Sequence, residues 1–195
     1  MKKGIVIFVL FCFSFVFGQE KEAENSIQIG SLGSSLYVGK IGSVGVFYEH
    51  YWESCSNYVK AFGLELNSLV AEVPQNGFSY GNGLEARIGY KMYFVKQRFT
   101  GFYLKSSLVY GTINFDENNN SIFVNSNYNG KYSYFSVFSP ELGYDFLMVK
   151  KLRVGFNLGT QWQLETKGTR DVDNQDFDNW IFRAGLRLSY DFHFN

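Results

Sequence analysis

Apolar and polar residues alternate with a period of two through most of the chain. From Phe182 to Phe194 the even positions read Phe, Ala, Leu, Leu, Tyr, Phe, Phe, while the odd positions from 183 to 193 read Arg, Gly, Arg, Ser, Asp, His. A strand turns successive side chains to opposite faces, so this segment is a strand with one apolar and one polar face. Leu152 to Leu164 repeats the pattern, with Thr160 the one polar residue in the apolar row and Arg153, Asn157, Gln161 and Gln163 in the other. Leu84 to Phe94 is apolar at every even position, against Glu85, Arg87, Gly89, Lys91 and Tyr93. Tyr132 to Phe146 alternates with Ser136 and Pro140 as interruptions. Pro140 requires a bulge or a locally unpaired position, because proline cannot donate to a strand ladder. Phe102 to Tyr110, Tyr58 to Leu66, Val44 to Trp52 and a short first strand marked by Ile27 and Ile29 bring the expected strands to eight.

The joins supply a topology. Glu53 to Ser56, Val95 to Arg98 and Leu147 to Lys150 are short, whereas Ala71 to Gly83, Ile113 to Gly130 and Thr166 to Asn179 are long and rich in Asn, Asp and Gly. A first outward loop near Ser34 to Gly42 would be the shortest of four. Short and long joins therefore alternate, as in an outer-membrane barrel with brief periplasmic turns and longer outward loops. A soluble ligand carrier of the lipocalin kind would have the opposite faces, an apolar lumen and a polar exterior. Here the polar faces carry Glu49, Glu65, Glu85, Arg87, Lys91, Lys105, Glu141, Asp145, Arg153, Arg183, Arg187 and Asp191. The apolar faces place Trp52 at the inner strand ends and Trp162 and Trp180 at the outer ends, where interfacial girdles sit. The expectation is an all-β protein: an eight-stranded antiparallel up-and-down transmembrane β-barrel with a polar lumen. A soluble barrel or sandwich is the alternative.

Tyr48-Glu49-His50, the run Gly83-Leu84-Glu85-Ala86-Arg87 to Tyr93-Phe94, Gly101-Phe102-Tyr103-Leu104 and the closing Leu186 to Phe194 together resemble the small outer-membrane β-barrel families of the OmpA/OmpX-like, eight-stranded kind. The resemblance covers the chain from about Asn25 onward and is one of pattern. It implies that the alternating aromatics of the last strand, Tyr190, Phe192 and Phe194, form the signal read by the barrel assembly machinery. The usual terminal aromatic is here penultimate, followed by Asn195.

Composition narrows the classes. Of 195 residues, 46% are hydrophobic, 19% aromatic and 18% charged, with 20 Gly and 2 Pro, which excludes a disordered chain and a helical membrane bundle. Lys2 and Lys3 precede an apolar run from Gly4 to Phe17, and Val16-Phe17-Gly18 provides a cleavage site, so residues 1–18 read as a secretory signal removed before Gln19 and 19–195 as the barrel domain. Fourteen apolar residues fall short of the ~20 that span a bilayer as a helix. A lipoprotein reading of Cys12 is disfavoured by the bulky Phe11 before it. Cleavage removes Lys2 and Lys3 from the 18 basic residues and none of the 18 acidic ones, so the mature chain is slightly acidic and carries no nucleic-acid footprint. It also leaves Cys55 alone, without an internal disulfide partner.

No catalytic or cofactor motif stands out. Six acids and six bases on the polar faces can neutralise one another, and an eight-stranded interior is just wide enough for side chains to fill it. The lumen is thus expected to be a structural ion-pair network, with a narrow polar conduit as the alternative. By strand proximity Glu85 and Arg87 would meet Lys105, and Arg183 and Arg187 would meet Asp191, Glu49 or the acidic neighbours of Arg153. Ser189, Asp191 and His193 share a row that hints at a lipid-modifying hydrolase, but at the periplasmic end a solvated histidine is the simpler reading; His50 reads as a girdle residue. Asp171, Asp173, Asp176 and Asp178 invite a Ca²⁺ reading, yet the sixth position of the loop is Asp176 where an EF-hand needs Gly. No metal, no cofactor and no enzymatic activity are expected. The expected partners are outer-membrane lipid and lipopolysaccharide, the barrel assembly machinery and an undefined ligand of the outward loops, for a monomeric protein in the outer membrane of a Gram-negative bacterium.

Overall fold

A computed structural model describes residues 29–53, 58–73, 79–96, 99–116, 129–170 and 179–193. Among them there is no helix. Nine strands form one antiparallel sheet: β1 (Ile29–Gly39), β2 (Ile41–Glu53), β3 (Tyr58–Val73), β4 (Ser79–Lys96), β5 (Gly101–Phe115), β6 (Gly130–Phe138), β7 (Pro140–Val149), β8 (Leu152–Arg170) and β9 (Trp180–His193). Each strand pairs with the next in sequence, except that β6 and β7 both lie between β5 and β8, and β9 returns to β1. The sheet is thereby closed into a ring of hydrogen bonds, which leaves no strand edge unpaired. The stagger is large. Following partners once around from Gly155 through Arg187, Ser35, Gly45, Asn67, Glu85, Gly111 and Tyr134 returns to β8 at Glu165, ten residues further along.

Where one strand is expected from Tyr132 to Phe146, the chain forms two, meeting at Ser139. On the β5 side Val109 faces Ser136 and Ser106 faces Pro140, so four steps along β6–β7 match three along β5. The extra residue is a β-bulge, placed where Pro140 has no N–H to offer. It also changes which side chains point inward. Glu141, Gly143 and Asp145 are buried on β7, but on β6 the even-numbered Tyr132, Tyr134 and Ser136 are buried. Tyr132 and Tyr134, which strict alternation assigns to the outward row with Leu142 and Tyr144, therefore face the interior.

The strands are longer than the apolar alternation suggests. Ser34 to Gly42, expected as a loop, is mostly strand on both sides of a reversal at Lys40. Gly39 sits there with φ 158°, and a Cβ would lie 2.5 Å from the Phe182 carbonyl oxygen, so the close approach of β9 requires glycine.

Inside, three layers stack along the axis. Towards the long joins Ile41, Leu69, Val109, Ile113, Phe115, Tyr132, Tyr134 and Ile181 form an apolar cluster. Towards the short joins Ile29, Tyr51, Val59, Ala61, Tyr93 and Tyr103 form a second, with Phe99 packed against it. Charged side chains fill the space between. Outside, the rows are apolar and open: Leu66, Leu84, Leu158 and Phe182 are 64 to 75% exposed. No helix of the described residues is long and apolar enough to cross a membrane, which has no bearing on crossing by strands.

Candidate functional site

All twelve charged residues singled out from the polar rows are buried in the ring. They get there because each occupies an inward position of its strand, Glu141 and Asp145 doing so after the bulge on β7. Burying an isolated charge costs several kcal/mol, so each must find a partner. Glu85 receives Arg87 Nε at 2.7 Å and both terminal nitrogens of Arg183 at 3.0 Å. Arg87 continues through Nη1 to Glu141 at 2.7 Å and through Nη2 to the Gln161 amide oxygen at 3.0 Å. Lys91 bridges Asp145 at 2.7 Å and Glu49 at 3.2 Å. Lys105 reaches Glu65 at 3.2 Å, Arg187 lies 2.7 Å from Glu49, and Arg153 donates to Asp191 at 2.6 Å. Lys105 and Arg153 also lie 3.9 Å from Glu49 and Asp145, Ser35 on β1 donates to Glu65 and Asn67, and Asn67 donates to Glu85, so one network joins every strand but β6 through its ionic, amide and serine side chains.

Two of these pairings differ from the simplest expectation. Lys105 does not meet Glu85 or Arg87, because register sets it opposite Lys91 while Glu85 lies opposite Gly111. Six residues of strand separate the two levels, about 20 Å at the usual rise. Arg183 does not meet Asp191; it crosses the interior to Glu85, leaving Asp191 to Arg153. Arg187 meets Glu49 as its level allows.

Tyrosines belong to the site as much as the ions do. Tyr51 donates to Glu49, Tyr93 to Asp145, and Tyr134 to Glu85 at 2.6 Å. Lys91 Nζ lies 4.0, 5.2 and 5.7 Å from the ring centres of Tyr103, Tyr93 and Tyr51, and the Arg187 guanidinium lies 3.7 Å from that of Phe47. These cation–π contacts add to the ion pairs where water is excluded. Tyr37, Tyr51, Tyr93 and Tyr103 all occupy the same odd row as the charges, which is the signal that could have found them. Tyr134 gives no such signal, since the bulge reverses its face. Glycines make the room: a Cβ on Gly111 would lie 2.3 Å from the Tyr134 ring and one on Gly143 2.3 Å from that of Tyr103.

The aromatic residues proposed for the rims lie outside the ring. Trp162 and Trp180 face each other across β8 and β9 at the long-join end, with Trp180 half exposed and 6.1 Å from Phe138. Trp52 stands near the short-join end beside His50 and Tyr90. Tyr190 is exposed on β9, and the Phe192 ring stacks on Tyr48 at 6.3 Å.

Phe194, Cys12, Cys55, the side chain of His193, the signal segment 1–18 and Asp171 to Asp178 lie outside the described residues. Of the Ser189, Asp191 and His193 row, Asp191 is occupied by Arg153. Among the described residues no group of three or more His, Cys, Asp or Glu side chains could hold a metal ion. The twelve charges face one another within the ring, with an apolar or aromatic layer on either side of them. No family model, no curated protein and no solved structure matches the chain.

Proposed function

We propose that this chain is an outer-membrane β-barrel that crosses the bilayer as eight staves, β6 and β7 being two halves of one stave, and serves as a structural or surface-interacting component of the cell envelope. The observation that carries the reading is the inversion of faces. Leucine, valine and phenylalanine side chains stand exposed around the outside of a closed sheet whose buried interior holds a dozen charges. In water such an exterior would be a large unprotected apolar patch, whereas lipid tails match it. Trp52, Trp162 and Trp180 then serve as interfacial anchors, and Tyr190, Phe192 and Phe194 as the assembly signal. The chain would be exported by cleavage of residues 1–18, and the long joins would face outward toward lipopolysaccharide and a partner yet to be found.

The interior is read as a plug. Neutral pairing and two covered ends support a filled barrel over a conducting one. Fractionation of the native host is expected to recover the protein in the outer membrane, with a gel mobility that changes on heating; recovery as a soluble periplasmic protein would overturn the reading.

A further inference from the structure

The hairpin between β7 and β8 leaves the ring at the short-join end. Gly101 has φ 110°, a conformation that suits glycine, and the chain just before it turns into the mouth, where the Phe99 ring meets Tyr51 edge-on at 6.1 Å. The ladder between β5 and β7 therefore stops at Gly101 and Asp145. Beyond Asp145, β7 runs four residues further with β8 as its described partner, about 13 Å at the usual rise. The period of two ends there as well. Leu147 stands opposite Arg153 and continues the inward row of Glu141, Gly143 and Asp145, yet Leu147, Met148 and Val149 are 46, 60 and 64% exposed. Lys150 and Lys151 make the turn, and both are exposed. The Lys151 carbonyl accepts the Asp191 N–H at 2.8 Å, and its Nζ lies 5.8 Å from the ring centre of the exposed Tyr190. On β7, β8 and β9 the acids nearest this turn, Asp145 and Asp191, point inward and are held by Lys91 and Arg153.

Three consecutive exposed apolar residues tipped by two cations suit neither water nor hydrocarbon. Water leaves the apolar side chains bare, whereas hydrocarbon strands the ammonium groups and the backbone edge that β5 leaves behind. The headgroup layer satisfies both parts: acyl chains cover the apolar residues, and phosphate oxygens accept from the lysines, whose stems reach along the apolar surface. An added protein strand fits the same edge poorly. The ladder shifts register between Leu147 and Val149, and the bulge at Met148 breaks the repeat that such a strand needs. We propose that this hairpin tip binds the headgroup of an anionic phospholipid, Lys150 and Lys151 taking the phosphate while Leu147, Met148 and Val149 lie against the first methylenes of its chains. The site rests on the membrane-barrel reading given above, in which the long joins face lipopolysaccharide. The short joins then meet the opposite leaflet, where the phosphate is a phospholipid's.

The experiment is native mass spectrometry of the full mature chain in a non-ionic detergent, with phosphatidylglycerol and phosphatidylcholine of the same acyl chains added in equal amounts. The folded protein is expected to retain phosphatidylglycerol in preference. Lys150→Gln combined with Lys151→Gln is expected to cut that preference by about five-fold per lysine, roughly 25-fold together. The matched pair Lys40→Gln and Lys131→Gln, at the long-join end, is expected to leave it unchanged. A preference that survives the hairpin variant, or that falls as far in the matched one, would overturn the site. So would a protein dimer that the hairpin variant loses in place of a lipid adduct, which would assign the tip to a second copy of the chain. Folding in lipid vesicles, read from gel mobility before and after heating, keeps the two readings apart. A chain that folds in vesicles without a headgroup preference loses this site alone, and one that never folds in them loses both.

Discussion

β4 and the β6–β7 pair face the same interior, with β5 between them, and differ in every local respect. β4 runs 18 residues, keeps its odd side chains inward from Glu85 to Tyr93, and presents Glu85, Arg87 and Lys91, each bonded to two or more partners. The β6–β7 pair changes face in the middle and has a proline where a donor is wanted. The two are not independent, because Arg87 on β4 reaches across to Glu141 on β7 and Gln161 on β8. Regular alternation on one side supplies the charge that satisfies the irregular side. A strand that keeps its period can therefore support one that does not.

The most severe way to break that link is Arg87→Ala. Among the described residues it leaves Glu141 with no ion pair and removes one of the two arginines on Glu85. Loss of one member of a buried pair is expected to cost about 3–5 kcal/mol. Urea titration of the refolded protein in lipid vesicles measures it, and a loss under ~1 kcal/mol would mean that water screens the interior as it does exposed pairs.

Next in size is the difference between the two faces of β9. Leu186 points outward and Ser189 inward, so Leu186→Arg is expected to cost about 2–4 kcal/mol at mid-membrane depth. Ser189→Ala, the removal of one hydroxyl from the interior, should be far milder in the same titration. The reverse order would show that the faces are inverted.

The smallest effect concerns the irregular stave. Pro140→Ala is expected to lose about 0.4–1 kcal/mol, since the bulge already accommodates the fixed φ of proline and the substitution frees the unfolded chain. An increase in the unfolding midpoint would instead mean that proline, rather than the flanking serines, forces the break.

Much of this arrangement was legible in the sequence, for a physical reason. Glu85, Arg87 and Lys91 alternate with Leu84, Ala86, Ile88 and Tyr90, and period two fixes their face regardless of what surrounds them. Closure was legible in the alternating short and long joins. The ninth strand was not, nor the inward turn of Tyr132 and Tyr134, because interruptions at Ser136 and Pro140 do not tell which residues before the bulge change face. Pro140 announced an irregularity but not its consequence for the residues before it. The pairing of particular charges was hidden as well. Lys105 and Glu85 lie on adjacent strands, but only the register shows that they stand at different heights.

β9 closes the ring and carries two of the cations that neutralise the interior. Arg187 pairs with Glu49 of β2 and Arg183 with Glu85 of β4, while β9 itself zips onto β1 over eleven consecutive positions. Before β9 arrives, an open sheet of β1 to β8 keeps those carboxylates in water at no great cost. Curling it shut without β9 would desolvate Glu49 with one source of positive charge fewer and Glu85 with half of its own. Electrostatics thus penalises partial closure, and hydrogen bonding and charge balance reach completion in the same event. The seam thus joins two requirements in one element: without β9 the ring lacks both the strand that closes it and two of the arginines that neutralise its carboxylates.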